Sequence, residues 1–111
     1  MIKVSVLYPN SPGTHFDMAY YLEHHIPLAH RLFGTHPGYR GVTVERGLAG
    51  AVPGADAPFV ALCHFSFDSL GEFMAAFEPH TAELQGDIPN YTNIAPVVQI
   101  SEVLMPSRKS G

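Results

Sequence analysis

Tryptophan is absent from this sequence, cysteine occurs once, and only 14% of the residues are charged. A single thiol, Cys63, cannot close an internal disulfide, and no Cys-x-x-Cys or Cys/His spacing accompanies it, so a zinc site has no starting point. The thiol count fits a reducing cytoplasm. Six Lys and Arg stand against ten Asp and Glu, for a formal charge of −4, and the only basic cluster is Arg108-Lys109. A nucleic-acid backbone would find no basic track to follow, which argues against such a partner. No apolar run reaches the length of a membrane span, and the first residues alternate up to Pro9 where a signal core would be continuous. Gly-x-Gly-x-x-Gly, P-loop, Gly-x-Ser-x-Gly and His-Glu-x-x-His patterns are all missing, so nucleotide, phosphate, serine-hydrolase and zinc-protease chemistry lose their usual warrant.

What is present is a hydrophobic fraction of 46%, with ten Gly and ten Pro, over 111 residues. That composition describes one globular domain spanning residues 1–111. Such a short chain has difficulty enclosing both a complete core and a sizeable cavity, and the low charge leaves apolar surface to cover. A homodimer sharing its core would relieve both.

Periodicity gives the element order. Residues 2 to 8 alternate, with Ile2, Val4, Val6 and Tyr8 on one side of a strand. A helix runs from Thr14 or His15 to Leu32, with Thr14 as its N-cap, Asp17 three residues on, and Gly34 closing it. Residues 42 to 48 and 59 to 67 read as the second and third strands, joined by the Gly/Ala/Pro-rich stretch 49 to 58. Asp68 or Ser69 caps a second helix in which Leu70, Phe73, Phe77, His80 and Leu84 recur at helical spacing; Pro79 bends or splits it and Gly86 ends it. Ile94 to Met105 is the fourth strand. The order βαββαβ predicts an α+β, ferredoxin-like fold: a four-stranded antiparallel sheet with two helices on one face. Both sheet faces read as largely apolar, so the uncovered face should meet that of a second copy, forming a barrel-like dimer.

At 100° per residue, Met18, Tyr21, Leu22, His25, Ala29 and Leu32 share one stripe of the first helix, with His25 at its centre; Phe16, Tyr20, Glu23 and Pro27 fall opposite. Pro27 removes the hydrogen bond to the Glu23 carbonyl and should open space between helix and sheet beside His25. Histidine is the side chain best suited to exchange a proton near neutral pH among hydrocarbon, although a core histidine bonded to a backbone carbonyl fits the pattern too. The seven histidines do not converge on a metal: His24 and His25 diverge by 100°, and His25 and His30 by about 140°. Cys63 and His64 point to opposite faces of the third strand, so one of them, not both, shares the His25 pocket. Phe73 and Phe77 are core residues that also wall the pocket, while Ile88 and Tyr91 sit on a connector at its rim.

The segments Phe16-Asp17-x-x-Tyr20-Tyr21, His25-x-Pro27-Leu28, Phe67-Asp68-Ser69 and Asp87-Ile88-Pro89-Asn90-Tyr91 resemble the EthD family, named for ethyl tert-butyl ether degradation. The resemblance runs from Tyr8-Pro9 to the last strand. It implies a dimeric α+β barrel, related to small decarboxylating, isomerising and cofactor-free oxygenating enzymes, with the family histidine at His25. The expectation is a cofactor-independent enzyme acting on a hydrophobic oxygenated compound in a degradative pathway. His25 would be the general acid/base or oxyanion partner, with Tyr21 or Tyr91 orienting the substrate; Cys63, Phe73, Phe77, Ile88 and Tyr91 would contact it. The alternative is a non-catalytic protein binding such a compound in the same pocket.

Overall fold

A computed structural model describes residues 1–107; Arg108 and Lys109 lie outside the described residues. Strand β1 (Ile2–Pro9) leads into a helical arm of three segments: α1 (Met18–Tyr20), a π-helical stretch (Tyr21–His25) and α2 (Ile26–Phe33). Then come β2 (Tyr39–Arg46), β3 (Phe59–Phe67) and a second arm of α3 (Leu70–Phe77), a 3-10 turn (Glu78–His80) and α4 (Thr81–Asp87). A further 3-10 turn (Ile88–Asn90) precedes β4 (Val97–Glu102). The strands lie in the order β2-β3-β1-β4, antiparallel throughout. This is the ferredoxin-like α+β arrangement that the element order predicts.

Register decides which side chains meet the helices. Val4 pairs with Phe65, Val6 with Cys63 and Tyr8 with Ala61, so the even residues of β1 and the odd residues of β3 share one face. That face is buried together with Tyr21, Ala29 and Phe33 of the first arm and Phe73, Ala76 and Leu84 of the second. Phe33 packs edge-on against Phe65 at 5.1 Å between centroids and Phe67 against Phe73 at 5.3 Å. Each such ring contributes on the order of 1.5–3 kcal/mol by leaving water.

Several boundaries differ from the sequence expectation. The N-cap of the first arm is Asp17, whose carboxylate accepts from the Tyr20 N–H at 3.0 Å, and the helix starts at Met18. Thr14 instead spends its hydroxyl on the Ser11 carbonyl at 2.6 Å. Ser69 caps α3, while Asp68 takes a two-pronged bond from Arg40 at 2.7 and 2.8 Å. Pro79 does split the second arm, at the 3-10 turn, but α4 continues past Gly86 to Asp87. Strand β2 begins at Tyr39, earlier than expected. Strand β4 is shorter, because Pro96 supplies no N–H to the ladder and Ile94 is buried before it.

The sheet's two faces are not equally apolar. On the face away from the helices, His64 is bracketed by the Ser5 hydroxyl at 2.7 Å and the Glu45 carboxylate at 3.1 Å. Thr43, Ser66, Gln99 and Ser101 share that face, with Leu7, Val60, Leu62 and Val97 around the polar centre. His64 is therefore remote from His25, and Cys63 is the member of that pair that faces the helices.

Candidate functional site

The site begins with a proline. Pro27 has no N–H for the Glu23 carbonyl, and the helix absorbs the loss by widening the preceding turn: the Ile26 N–H reaches back five residues to the Tyr21 carbonyl. In a regular α-helix, residues five apart point about 140° away from each other. The π-helical turn brings Tyr20 and His25 to the same partner, Asp87, which corrects the expectation that Tyr20 lies on the opposite side. Leu22 is turned outward and is 47% exposed, so it leaves the buried stripe. Tyr21, His25 and Ala29 remain buried in it.

Asp87 ends α4 and collects three donors. Its Oδ2 lies 2.8 Å from His25 Nδ1, and its Oδ1 accepts from the Tyr20 hydroxyl at 2.6 Å and the Asn90 amide at 2.9 Å. The segment that carries it is fastened to the first arm: the Asp17 N–H donates to the Tyr91 carbonyl at 2.7 Å and the Thr92 hydroxyl to the His15 carbonyl at 2.6 Å. Beneath the dyad lies a packed aromatic group. Tyr91 stands 4.7 Å from the His25 ring, Tyr21 stacks on it at 5.7 Å, and the buried Tyr8 and Tyr91 hydroxyls share a 2.6 Å hydrogen bond.

The electrostatics assign the protons. Burial holds the His25 pKa below its ordinary 6.5, outweighing the opposing pull of Asp87. Burial alone would raise the Asp87 pKa, but hydrogen bonds from Tyr20, Asn90 and His25 together bring it below its ordinary 3.8. At neutral pH the pair is a carboxylate and a neutral imidazole. A carboxylate can only accept, so the imidazole proton sits on Nδ1 and Nε2 carries the free lone pair. Nε2 has no partner among the described residues, yet no fully buried polar side-chain atom there goes unsatisfied. It therefore touches open space. Burial pushes the Tyr21 and Tyr91 hydroxyls well above the ordinary tyrosine value and the Cys63 thiol up to about 12, so these groups stay protonated.

His25 lines a cavity of about 380 Å³ between the two helical arms and the sheet. Val4 and Val6 of β1 and Val98 of β4 line its sheet side, and Phe73, Phe77 and Ile88 line its helical side with His25 and Tyr21. A second, more open cleft of about 450 Å³, against Arg46, Leu48 and Asp56, contains no histidine.

Of the residues expected at the site, His25, Tyr21, Phe73, Phe77 and Ile88 reach the cavity wall. Cys63 and Tyr91 do not. Cys63 lies buried within hydrogen-bonding reach of the Tyr21 hydroxyl, and Tyr91 supports the His25 ring from behind. Asp87, Tyr20 and Asn90 were not expected to act together; their only signal is their place in the Asp-Ile-Pro-Asn-Tyr and Phe-Asp-x-x-Tyr-Tyr segments. Among the described residues no three His, Cys, Asp or Glu side chains cluster as metal ligands, and no helix is long and apolar enough to cross a membrane.

The EthD domain matches residues 15–95, which contain the whole Tyr20–His25–Asp87–Asn90 network. An EthD-like protein from Ralstonia eutropha JMP134 is 49% identical, with a TM-score of 0.89 over 96% of this chain and 94% of that one. The chain belongs to the EthD family. A second EthD family protein, from Bacillus halodurans C-125, has 20% identity and a TM-score of 0.62 over 94% of this chain and 99% of that one. The cofactor-independent oxygenase SnoaB of Streptomyces nogalater has 13% identity and a TM-score of 0.56 over 98% of this chain and 94% of that one. At these identities the ferredoxin-like fold alone is what the latter two share with this chain. No curated protein matches the sequence.

Proposed function

We propose that this EthD-family chain is a small cofactor-independent enzyme for a hydrophobic, oxygenated organic compound, with His25 Nε2 as the acid/base at the cavity wall. One observation carries this reading: a neutral imidazole, its Nδ1 bonded to a carboxylate at 2.8 Å and its Nε2 without a partner among the described residues, stands in the wall of a mostly apolar cavity. Such a base removes an acidic proton from a bound molecule and returns it elsewhere, the first step of isomerisation, ring opening or cofactor-free oxidation. Asp87 keeps the proton on Nδ1 and stabilises the imidazolium that forms. Tyr21 packs against the ring and fixes its plane. SnoaB, with the same fold, is a cofactor-independent oxygenase, which is compatible with cofactor-free chemistry here.

Two further parts of the reading rest on the sheet and on Cys63. Leu7, Val60, Leu62 and Val97 surround the Ser5–His64–Glu45 network on the bare face, a surface suited to a second copy and hence to a homodimer. The buried free thiol fits a reducing cytoplasm.

The test is His25→Gln against wild type with a panel of lactones, phenols and quinones. Turnover should fall by about 10²- to 10⁴-fold, the usual contribution of a positioned acid/base, while the far-UV spectrum is kept. Unchanged turnover rejects the chemical role of His25. The mostly apolar wall also suits a non-catalytic protein that holds its ligand by burial; stoichiometric retention of a compound with no product from wild type would establish that second reading.

A further inference from the structure

We propose that Gln85 is the hydrogen-bond donor for an oxyanion formed in the His25 cavity, so that the chain takes neutral, enolisable carbonyl compounds or phenols and binds them as their conjugate bases. The inference rests on the acid/base reading of His25 and names the second half of the same site. Four side chains with N–H or O–H groups line the cavity: Tyr8, Tyr21, His25 and Gln85. Three are engaged. Tyr8 shares its hydroxyl bond with Tyr91, Tyr21 faces the Cys63 sulfur, and His25 donates Nδ1–H to Asp87. The Gln85 amide has no side-chain partner among the described residues, and it stands on α4, two residues before Asp87.

Of the four, Gln85 is the one whose side chain has no protein partner among the described residues, and its amide N–H complements the lone pair at His25 Nε2. No Lys or Arg among the described residues lines the cavity, so a substrate arriving as a carboxylate or phosphate would lose its hydration with no cation from them in return. A neutral molecule carrying an acidic O–H, or a C–H beside a carbonyl, has the complementary pattern. In the step the O–H or C–H bond breaks, its proton goes to Nε2, and the electron pair stays on the substrate as phenolate or enolate oxygen. The imidazolium is balanced by Asp87, and the amide N–H meets the new negative charge. Return of the proton restores the site without any co-reactant.

A chromogenic acid reads this out without knowledge of the substrate. 4-Nitrophenol is titrated spectrophotometrically in complex with wild type, Gln85→Leu, Gln85→Glu and His25→Gln, with nitrobenzene as the probe that has no acidic proton. Gln85 is exposed on α4, so its substitutions leave the core intact. The expected result is that Gln85→Leu raises the apparent pKa of bound 4-nitrophenol by about one unit, the scale of one hydrogen bond to a charged, partly solvated oxygen. Gln85→Glu should raise it further by like-charge repulsion, and nitrobenzene should bind wild type and Gln85→Leu alike. Equal pKa values in wild type and Gln85→Leu, with a shift in His25→Gln, overturn the role of Gln85 and leave that of His25 standing. No shift in His25→Gln overturns the acid/base reading itself, and folded wild type that takes up neither probe overturns both.

Discussion

Replacing Asp87 by Asn tests the dyad while changing almost no volume. The carboxylate accepts from His25, Tyr20 and Asn90 at 2.8, 2.6 and 2.9 Å. An amide offers one carbonyl oxygen and one NH2 group; with the oxygen kept toward Tyr20 and Asn90, the new NH2 meets the His25 Nδ1–H donor to donor, and turning the amide over would require Tyr20 and Asn90 both to switch from donating to accepting. Moving the imidazole proton from Nδ1 to Nε2 is the cheapest solution, because Nδ1 then accepts from the new amide. That solution removes the lone pair from the cavity, and kcat/KM should drop by about 10²- to 10⁴-fold. The pKa of His25 should fall further, since burial then acts without an anionic partner. Stability should fall by about 1–2 kcal/mol, less than the full value of a lost charged hydrogen bond because Tyr20 and Asn90 can turn to water; Tm should drop by roughly 4–8 °C per kcal/mol. Nitrogen-15 NMR of the imidazole separates the tautomers directly, and urea unfolding gives the stability. If His25 keeps its proton on Nδ1 and titrates as in wild type, the dyad reading is wrong.

Further expectations follow from the same geometry. His25 and Asp87 both have depressed pKa values in the folded chain, so the unfolded chain binds more protons and acid weakens the fold. Urea midpoints should decline first as pH falls below about 6.5, from His25, and again below about 3.8, from Asp87; a flat profile through the first window would contradict the buried neutral imidazole. In the proposed reaction kcat/KM should rise with pH through a value below 6.5, and a rise centred above it would exclude His25 as the base. Tyr91→Phe leaves the buried Tyr8 hydroxyl short of a partner and should cost about 1–3 kcal/mol, while Tyr8→Phe combined with it should cost less than the sum; additive losses would deny the hydrogen bond. Pro27→Ala returns an N–H to the helix and should change stability by less than about 1 kcal/mol, the gained hydrogen bond being set against a more flexible unfolded chain, yet turnover should fall as the π-helical turn relaxes. Undiminished turnover would show that the turn does not position His25.

The sequence by itself determined the element order, the fold and the inward direction of His25. These follow from local periods: alternation in β1 and β3, helical spacing around His25, and prolines at positions 9, 27 and 79 that no regular element passes unchanged. The order βαββαβ then leaves few ways to lay four strands into one sheet. What only the tertiary structure decided is everything that depends on residues far apart in the chain. Asp87 lies 62 residues from His25, and nothing in its local pattern tells it from a carboxylate that ends a helix in water. Cys63 and Tyr91 look like wall residues until packing places one against Tyr21 and the other behind the imidazole. Tyr20 changes side because one missing N–H widens a turn, an angular correction that a fixed 100° step cannot supply. The same holds for the outer sheet face, where Ser5, Glu45 and His64 come from three strands and become a network only through cross-strand register.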